Sequence, residues 1–453
     1  MNVAVLDVGK TNVKAALVDL EAGREIDVRT RPNAVLTDGP YPHYDVEAIF
    51  DFFLESLGER HAASGFDAIS VTTHGASGAL LGDEGLALPV MDYEFRYPAA
   101  IEETYEALRP PFSETFSPRL PGGLNLGAQF HYQKTRFPQH FRSARTVVTY
   151  PQYWGWRLTG ATATDPTSLG CHTDLWRPKE GAFSGLAAAL EIDSRLAPVR
   201  RPSDVLGPLR DDLATRLRLP RPVPVHCGIH DSNASLLPHL AGREAPFSVV
   251  STGTWVVTFS VGGDLEHLDP DRDTLANVDA FGRAVPSARF MGGREFEILA
   301  AGRGAATREA VRRVVEGRVL FTPSVVPRSG PYPRAEHRTL NASAPLTDDE
   351  RHVAASLYAA LMTATCVELT GGAGPILLEG PFARNALYVE ALSKASGRAV
   401  IGCSGATGTS LGAAMLGRMG SSFPASPAAP PRGDQLPAAF EGYRAEWVSA
   451  VSR

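Results

Sequence analysis

The N-terminal part of the chain alternates short apolar runs with polar turns, a pattern typical of strands. It predicts strands at 3–6, 13–18, 25–30 and 68–72. Phe50, Phe53 and Leu57 recur at helical spacing and predict a helix over 46–62. Three strands, a helix and a further strand indicate a mixed α/β domain, because a dinucleotide-binding fold would alternate strand and helix strictly.

A second pair of apolar runs, joined by a small polar turn, lies near the middle of the chain. Strands are predicted at 247–250 and 255–260, with the turn at 251–253. The pattern repeats the N-terminal strand-turn-strand, so we interpret the chain as a structural duplication. This interpretation predicts a first domain at 1–240 and a second at 241–453.

The second predicted domain continues with helices and strands. The pattern predicts a helix over 348–370, a strand at 375–378, a helix from about 383, a strand at 399–401, a glycine-rich turn at 402–408 and a helix of small residues at 409–417. The segment 421–436 is rich in Pro, Ala and Ser, which is typical of an extended linker. A last helix over 438–451 would pack on the domain through Phe440, Tyr443 and Trp447.

Charge and composition exclude several classes of partner. The net charge is −6 and no basic patch with interleaved aromatics occurs, so neither nucleic acid nor an anionic membrane is expected as a partner. No apolar run approaches the ~18 residues of a membrane span, and the first residues lack a signal peptide's basic segment, which predicts a cytoplasmic protein. The four cysteines are far apart without a CxxC pair, which argues against a zinc site or disulfides.

A polar turn follows the first strand at Asp7-Val-Gly-Lys-Thr-Asn12. Backbone N–H groups and small polar side chains at a sheet edge suit a terminal phosphate, with Asp7 facing a magnesium ion or its waters. Lys10 could add positive charge on the phosphate. The alternative is a plain hairpin with a polar turn.

Asp231 lies at the predicted start of a helix, in Gly228-Ile-His-Asp-Ser-Asn-Ala-Ser235. A carboxylate near the positive end of a helix dipole stays ionised and can serve as a general base. The alternative is an ordinary helix N-cap, a position that Asp also favours.

Two further groups of glycines and small residues could bind a nucleotide. The turn Ser251-Thr-Gly-Thr-Trp255 offers hydroxyls and a glycine amide to phosphate oxygens. The segments 378–385 and 405–414 place glycines after two successive strands, where the backbone could approach a flat ring closely. The alternatives are a tight turn for the first group and close helix–strand packing for the others.

The succession of these motifs resembles the FGGY family of carbohydrate kinases, within the hexokinase/actin/Hsp70 superfamily, over nearly the whole chain. Segment 71–80 is similar to the family's sugar-contacting loop, 153–160 to a family helix ending in Leu-Thr-Gly, and 165–168 to the acidic segment after it. Within the family, His230-Asp231-Ser and the Trp255 that ends its turn are most similar to the rhamnulokinase and fuculokinase branch. Five positions depart from the family's or branch's usual residues: Lys10, His74, Ser77, Gln152 and Pro381.

The resemblance implies an ATP-dependent carbohydrate kinase, a phosphotransferase with an alcohol group as acceptor. The implied fold is α/β, with two actin-like (ribonuclease H-like) domains flanking an interdomain cleft. The implied cofactors are ATP and Mg²⁺, with Asp7 holding the hydrated metal and Asp231 as catalytic base. The residues implied to bind the nucleotide are Asp7, Gly9, Lys10, Thr11, Asn12, Thr252, Gly253, Thr254, Glu379, Gly380, Phe382, Asn385, Gly405, Thr407 and Gly408. The residues implied to contact the sugar are His74, Gly75, Ala76, Glu94, Gln129, His230 and Asp231.

The implied acceptor is a small ketose similar to L-rhamnulose or L-fuculose. One alternative is a pentulose, polyol or autoinducer kinase of the same family. A different class is an actin/Hsp70-like nucleotide-dependent switch without a sugar substrate, and a third is a sugar-binding protein without catalysis. Asp231 at a helix start and the sugar-like loop at 71–80 favour a kinase over the switch. The oligomeric state stays open, a homodimer included.

Overall fold

The computed structural model describes residues 1–302, 304–403, 408–419 and 435–452, apart from the side chains of 61–63. The chain divides into two compact units. Unit 1 comprises Met1–Arg243, Ala276–Ala284 and Ala406–Ala425, and unit 2 comprises Glu244–Leu275, Val285–Gly405 and Ser426–Arg453. The first segment of unit 1 ends close to the break expected near residue 241, and two later segments also belong to this unit. The roles expected for 1–240 and 241–453 stay predictions.

Each predicted strand is present, most of them extended by one or two residues, and the structure adds further strands that were not predicted. In chain order they are β1 Asn2–Val8, β2 Asn12–Asp19, β3 Arg24–Pro32, β4 Val35–Leu36, β5 His43–Tyr44, β6 Ala68–Thr73, β7 Gly78–Gly82, β8 Gly85–Leu86, β9 Thr146–Thr149, β10 Trp176–Arg177, β11 Ala182–Phe183, β12 Val205–Pro208, β13 Pro224–His226, β14 Ile229–His230, β15 Phe247–Thr252, β16 Val256–Val261, β17 Thr274–Val278, β18 Ala284–Phe290, β19 Leu320–Phe321, β20 Thr339–Leu340, β21 Ile376–Glu379 and β22 Val400–Gly402.

The helices include every long amphipathic segment that the sequence predicts. They are α1 Val46–Ala63, α2 Ala99–Glu106, α3 Phe112–Thr115, α4 Leu126–Arg136, α5 Pro138–Ser143, α6 Tyr150–Thr159, α7 Pro166–Leu169, α8 Gly185–Ala189, α9 Asp211–Arg216, α10 Asp231–Leu240, α11 Gly292–Ala300, α12 Arg308–Glu316, α13 Asp348–Leu369, α14 Ala386–Ser396, α15 Thr409–Met415 and α16 Phe440–Val451. Short 3₁₀ turns lie at Gly122–Leu124, Leu265–His267, Pro270–Arg272, Pro381–Arg384 and Leu416–Arg418.

The main sheet of unit 1 has the strand order β12-β13-β6-β1-β2-β3, and β14 also pairs with β6. Strands β1 and β2 form an antiparallel hairpin, and β6 runs parallel to β1. Because side chains alternate along β1, Leu6 packs in the core that includes α1 and α6, whereas Val5 packs in the core that includes α10 and α15. Helices therefore cover both faces of the sheet.

The small residues of α15 serve close packing within unit 1. A Cβ on Gly412 would lie 1.8 Å from the carbonyl oxygen of Ala234 on α10, so only glycine allows this approach. The sequence left open whether these small residues admit a flat ring or pack closely, and at Gly412 the structure shows close packing.

The main sheet of unit 2 has the order β17-β18-β16-β15-β21-β22. Strands β15 and β16 form an antiparallel hairpin, and β21 runs parallel to β15. The hairpin and its parallel neighbour thus have the same arrangement as β1, β2 and β6 of unit 1, which is the repeat expected from the sequence.

Helix α13 forms the centre of the core of unit 2. By length and composition it is the one helix in the described ranges that could cross a membrane, but 72% of its most apolar window is buried inside the structure. Leu357 and Met362 belong to the same buried cluster as residues of α12 and α14. Burial of this extent is typical of a core helix in a folded domain.

The last helix confirms its prediction, because Phe440, Tyr443 and Trp447 are buried in the core of unit 2. The helix expected from about 383 begins instead at Ala386, since Pro381–Arg384 forms a 3₁₀ turn. Most of the predicted turn at 402–408 and of the predicted linker at 421–436 lies outside the described residues.

Candidate active site

The turn between β1 and β2 is held by backbone bonds and by one distant asparagine. The N–H of Gly9 donates to the carbonyl of Asn12 at 2.9 Å. Asn33 donates from Nδ2 to the carbonyl of Gly9, and from its backbone N–H to the carbonyl of Thr11, each at 2.8 Å. The side chains of Thr11 and Asn12 are exposed, so this turn presents polar groups from a fixed backbone. Asn33 was not predicted as part of this turn, because its contact depends on how the chain after β3 returns to the turn.

Asp7 lies near the end of β1 with only 8% of its surface exposed. Its Oδ2 accepts hydrogen bonds from the hydroxyls of Thr409 and Ser410 at the start of α15, which also belongs to unit 1. Burial raises the pKa of Asp7, the hydrogen bond from Thr409 and the charge of Lys14 act in the opposite direction, and the negative charge of Asp231 raises the pKa. The two carboxylates are therefore close enough to repel each other.

Lys14 is a further candidate functional residue, which was not predicted from the sequence. Its Nζ lies 3.4 Å from Oδ2 of Asp7 and 2.9 Å from Oε1 of Glu25. The signal was present in the sequence, because a hairpin with this turn pairs position 7 with position 14 across the two strands.

Lys10 points to acidic side chains in the structure. Its Nζ forms ion pairs with Oδ1 of Asp92 and, at 3.3 Å, with Oε2 of Glu94. The same nitrogen lies 5.4 Å from the ring centre of Tyr44 and 5.2 Å from that of Tyr93. Lys10 was expected to bind phosphate, but it contacts Glu94, which was expected to contact the sugar.

The predicted sugar loop follows β6 and is built around His74. This residue is 5% exposed, its Nδ1 lies 2.9 Å from the carbonyl of Gly75, and its Nε2 has no hydrogen-bond partner in the described part of the chain. Burial lowers the pKa of His74 to about 4, so its imidazole is neutral at physiological pH. A neutral buried ring with an unsatisfied nitrogen can bind a ligand hydroxyl.

The conformation of this loop is fixed from helix α4. Ala76 has a positive φ of 53°, which is unusual for a residue with a side chain. Gln129 donates from Nε2 to the carbonyl of Ala76 at 2.5 Å and to that of Gly123 at 2.6 Å. Gln129, expected to contact the sugar, therefore holds the loop with its amide nitrogen.

Asp231 is the first residue of α10, and the N-cap residue of that helix is His230. Oδ1 of Asp231 accepts from the N–H of Ser232 at 2.6 Å and lies 3.1 Å from Nε2 of His230. Although 29% of the side chain stays exposed, burial raises the pKa of the Asp231 carboxyl, with Ser232 and His74 acting in the opposite direction. A carboxylate with a raised pKa that remains accessible suits proton abstraction.

The start of α10 is positioned by two residues on the short helix α7 and its cap. The N–H of His230 donates to Oγ1 of Thr167 at 3.0 Å, and that hydroxyl donates to the fully buried Asp165. His230 also packs directly on Gly75, where a Cβ would lie 2.8 Å from its Nε2. Unit 1 thus brings together the expected residues His74, Gly75, His230 and Asp231.

In unit 2 the turn after β15 is joined to the turn after β21. Oγ1 of Thr252 donates to the carbonyl of Glu379 and accepts from the N–H of Phe382 at 3.2 Å. Gly380 has a φ of 81°, and a Cβ there would lie 1.9 Å from the carbonyl oxygen of Thr252, so this position requires glycine.

These turns border a cavity of about 770 Å³ in unit 2. This volume is within the range of small-molecule sites. Residues expected from the sequence and found in its lining are Thr252, Gly253, Thr254, Phe382 and Asn385. Phe296 and His352, which sequence analysis missed, also line it. Another cavity of unit 2, of about 900 Å³ and lined by Arg272 and Tyr332 among others, contains none of the expected residues.

Some of the residues expected to contact the nucleotide also hold the ends of helices. Asn385 caps α14 by accepting from the N–H of Tyr388 at 3.1 Å, and its Nδ2 donates to Ser356. Gly408 is the N-cap residue of α15 in unit 1. Gly405 and Thr407 lie outside the described residues.

The donor set near Asp7 fits a hydrated magnesium ion. The described residues contain no group of three or more His, Cys, Asp or Glu side chains that could hold a metal ion alone. Mg²⁺ keeps several waters and is usually bound by one or two carboxylates together with phosphate oxygens. Asp7, beside the exposed Thr11 and Asn12, offers one such carboxylate.

Comparison with known proteins defines the class of this chain. Residues 244–426 match the family model described as "Carbohydrate kinase FGGY, C-terminal domain". The solved structure of a carbohydrate kinase from Novosphingobium aromaticivorans is 36% identical, with a TM-score of 0.92 over 99% of this chain and 98% of that chain. None of the curated proteins matches this chain.

More distant solved structures share the fold. A xylulose kinase from Rhodospirillum rubrum is 18% identical, with a TM-score of 0.78 over 100% of this chain and 98% of that one. A glycerol kinase from Plasmodium falciparum, solved with ADP, is 12% identical, with a TM-score of 0.79 over 100% and 98% of the two chains.

The protein is thus a phosphotransferase acting on carbohydrate, with the α/β fold of two actin-like domains. It belongs to the FGGY family of carbohydrate kinases. The family and the fold expected from the sequence are confirmed, and the alternatives of a switch without a sugar substrate and of a sugar-binding protein without catalysis are set aside.

Proposed function

We propose that this carbohydrate kinase transfers the γ-phosphoryl group of ATP to a hydroxyl of a small ketose of the L-rhamnulose or L-fuculose type, with Asp231 as general base. The assignment of the general base rests on the position and surroundings of the Asp231 carboxylate. It lies at the start of α10 with a raised pKa, remains 29% exposed, and adjoins the neutral His230. The ketose assignment rests on the His230-Asp231-Ser segment and on Trp255.

In the proposed reaction, Asp231 takes the proton of the acceptor hydroxyl as the oxygen of that hydroxyl forms a bond to the γ-phosphorus. The bond between the γ-phosphorus and the bridging oxygen breaks, and ADP leaves. Because Nδ1 of the neutral ring donates to the carbonyl of Gly75, the unpartnered Nε2 of His74 would accept a hydrogen bond from a further sugar hydroxyl and so fix the orientation of the sugar.

Residues of each unit have a proposed role in binding the nucleotide. In unit 1, Gly9, Thr11 and Asn12 would contact phosphate oxygens, and Asp7 would hold hydrated Mg²⁺, which when bound neutralises phosphate charge. In unit 2, Thr252, Gly253 and Thr254 would contact phosphate, and Phe382 would border the adenosine. The cavity of about 770 Å³ that these unit 2 residues line supports this part of the proposal.

A phosphorylation screen tests the proposal. The purified protein is incubated with Mg-ATP and L-rhamnulose, L-fuculose, L-xylulose, D-xylulose, glycerol or D-gluconate, and both ADP and the sugar phosphate are measured. We expect one of the first two sugars to give the highest kcat/KM. Turnover of only glycerol or gluconate contradicts the proposed acceptor and leaves the kinase assignment intact, and turnover of a xylulose alone supports the pentulose alternative.

A further inference from the structure

We propose that Lys10 is a specificity-determining residue of the acceptor site, where it holds Asp92 and Glu94 to bind the hydroxyls of a neutral sugar. The inference rests on the proposed kinase reaction but not on which ketose is the acceptor. It departs from the expectation that Lys10 binds phosphate.

The contacts of Lys10 place its charge among side chains away from the hairpin backbone. Its Nζ pairs with both carboxylates, and it lies over the rings of Tyr44 and Tyr93. The hydroxyl of Tyr44 also donates to Oδ1 of Asp92 at 3.3 Å. A cation held by two carboxylates and two aromatic faces is well stabilised where it is, so moving it to a phosphate would break several favourable contacts.

The same rings connect Lys10 to the residues around the catalytic carboxylate. The ring centre of His74 lies 5.0 Å from that of Tyr44 and 5.2 Å from that of Tyr93. Gly75, the neighbour of His74 in the chain, packs on His230, whose Nε2 lies 3.1 Å from Oδ1 of Asp231. Lys10 is therefore part of one continuous cluster with His74 and Asp231, inside unit 1.

The charges in this cluster define the class of acceptor. Asp92, Glu94 and Asp231 are three carboxylates against the one ammonium of Lys10, and the neighbouring pair of Asp7 and Lys14 adds one charge of each sign. Asp92 is mostly covered, whereas 67% of the Glu94 side chain is exposed and available to ligand hydroxyls. A neutral polyhydroxy sugar can bind these acceptors, but a sugar acid would be repelled by the excess negative charge.

Steady-state kinetics of Lys10→Met test the proposal. Because both carboxylates lose a charged hydrogen-bonding partner, we expect the KM for the acceptor to rise by at least about tenfold, which corresponds to about 1.4 kcal/mol. The KM for Mg-ATP and the dissociation constant of Mg-AMPPNP, measured by calorimetry, should change by less than about twofold. Lys10→Arg, which keeps the cation, should recover part of the acceptor KM.

The matched control is Lys134→Met, which removes another lysine of unit 1 with a 3.1 Å ion pair to Glu191. This variant should leave both KM values unchanged, and melting temperatures of all variants establish that they fold. Weaker Mg-AMPPNP binding by Lys10→Met with an unchanged acceptor KM would show that Lys10 binds phosphate. Unchanged values for both substrates would also overturn the proposal.

The outcomes for Lys10 and for the proposed acceptor are separable. The kinetics use whichever acceptor the wild-type protein phosphorylates, so a failure of rhamnulose and fuculose does not affect the test. Preferential turnover of D-gluconate by the wild type would overturn the inferred preference for a neutral sugar. If no acceptor of the panel is phosphorylated, the calorimetric comparison still decides whether Lys10 is a phosphate ligand, and weaker binding overturns the proposal.

Discussion

Nε2 of His230 lies 3.1 Å from Oδ1 of Asp231. The other ring nitrogen, Nδ1, accepts from Nδ2 of Asn233 at 3.1 Å, and burial lowers the pKa of His230 to about 4. The ring is therefore neutral with its proton on Nε2, which donates to Asp231. The hydrogen bonds to this carboxylate from the described residues all reach Oδ1, so Oδ2 is the oxygen open to an acceptor hydroxyl.

We expect Asp231→Asn to lower kcat by at least about a hundredfold, because general-base assistance is typically worth about 10²–10⁴-fold in rate. The affinity for Mg-AMPPNP should stay nearly unchanged. The measurement is steady-state kinetics with the best acceptor of the screen, together with calorimetry. Asn keeps the size of the side chain and the helix-start preference of Asp, so folding should be preserved.

The matched control is Asp211→Asn, since Asp211 is also the first residue of a helix in unit 1 and is exposed. It should retain wild-type turnover. Near-normal turnover by a folded Asp231→Asn protein would show that Asp231 has only a structural role at the helix start.

Acid should destabilise the protein through His74 and His230. Both have their pKa lowered by burial from 6.5 to about 4, so the unfolded chain binds protons between these values and the folded protein does not. Each neutral histidine contributes up to ~3 kcal/mol to the free energy of unfolding above about pH 6.5, and this contribution is lost as the pH falls towards 4.

The buried aspartates have raised pKa values and change the stability with pH in the opposite direction. A comparison of variants separates their effect from the loss of stability caused by the histidines. The free energy of unfolding is measured from pH 7.5 to 4.5 for the wild type, His74→Gln and the exposed His140→Gln. We expect a smaller loss on acidification for His74→Gln and an unchanged loss for His140→Gln. Equal pH dependence in all three proteins would contradict the neutral, buried state of His74.

Thr252→Val should weaken nucleotide binding. The substitution keeps the shape of the side chain but leaves the carbonyl of Glu379 and the N–H of Phe382 without this partner, at a cost of about 1–3 kcal/mol. We expect a lower melting temperature and a dissociation constant for Mg-AMPPNP at least about fivefold higher by calorimetry.

Thr258→Val is the matched control, because Thr258 is buried on β16 and its Oγ1 has no hydrogen-bond partner among the described residues. It should change neither quantity appreciably. If Thr252→Val binds Mg-AMPPNP as the control does, the turn after β15 is not part of the nucleotide site.

Lys14→Met should affect the nucleotide and not the sugar. Lys14 pairs with Asp7 across the hairpin, so its loss removes a positive charge that would attract the phosphates of the nucleotide. We expect the KM for Mg-ATP to rise by at least about tenfold with an acceptor KM within about twofold of wild type. This is the reverse of the result for Lys10→Met, with Lys134→Met as the common control, and a rise only in the acceptor KM would contradict it.

The sequence alone determined the elements whose signal is local. Residues only a few positions apart produce the apolar runs of both hairpins, the period of α13 and the buried face of α16. The structure contains all of these elements. The order of the motifs along the chain also determined the family, since that order does not depend on packing.

Only the tertiary structure decided which charges meet. Lys10 reaches Asp92 over 82 positions, and Thr409 reaches Asp7 over 402 positions. The hydrogen bond from Asn33 to the first turn and the burial that shifts the pKa of His74 likewise depend on how the sheet of unit 1 brings distant segments together. A residue type and its neighbours in the sequence show what a side chain can do, but its partner is fixed by packing, and for this reason Lys10 was expected on phosphate and is found beside Asp92 and Glu94.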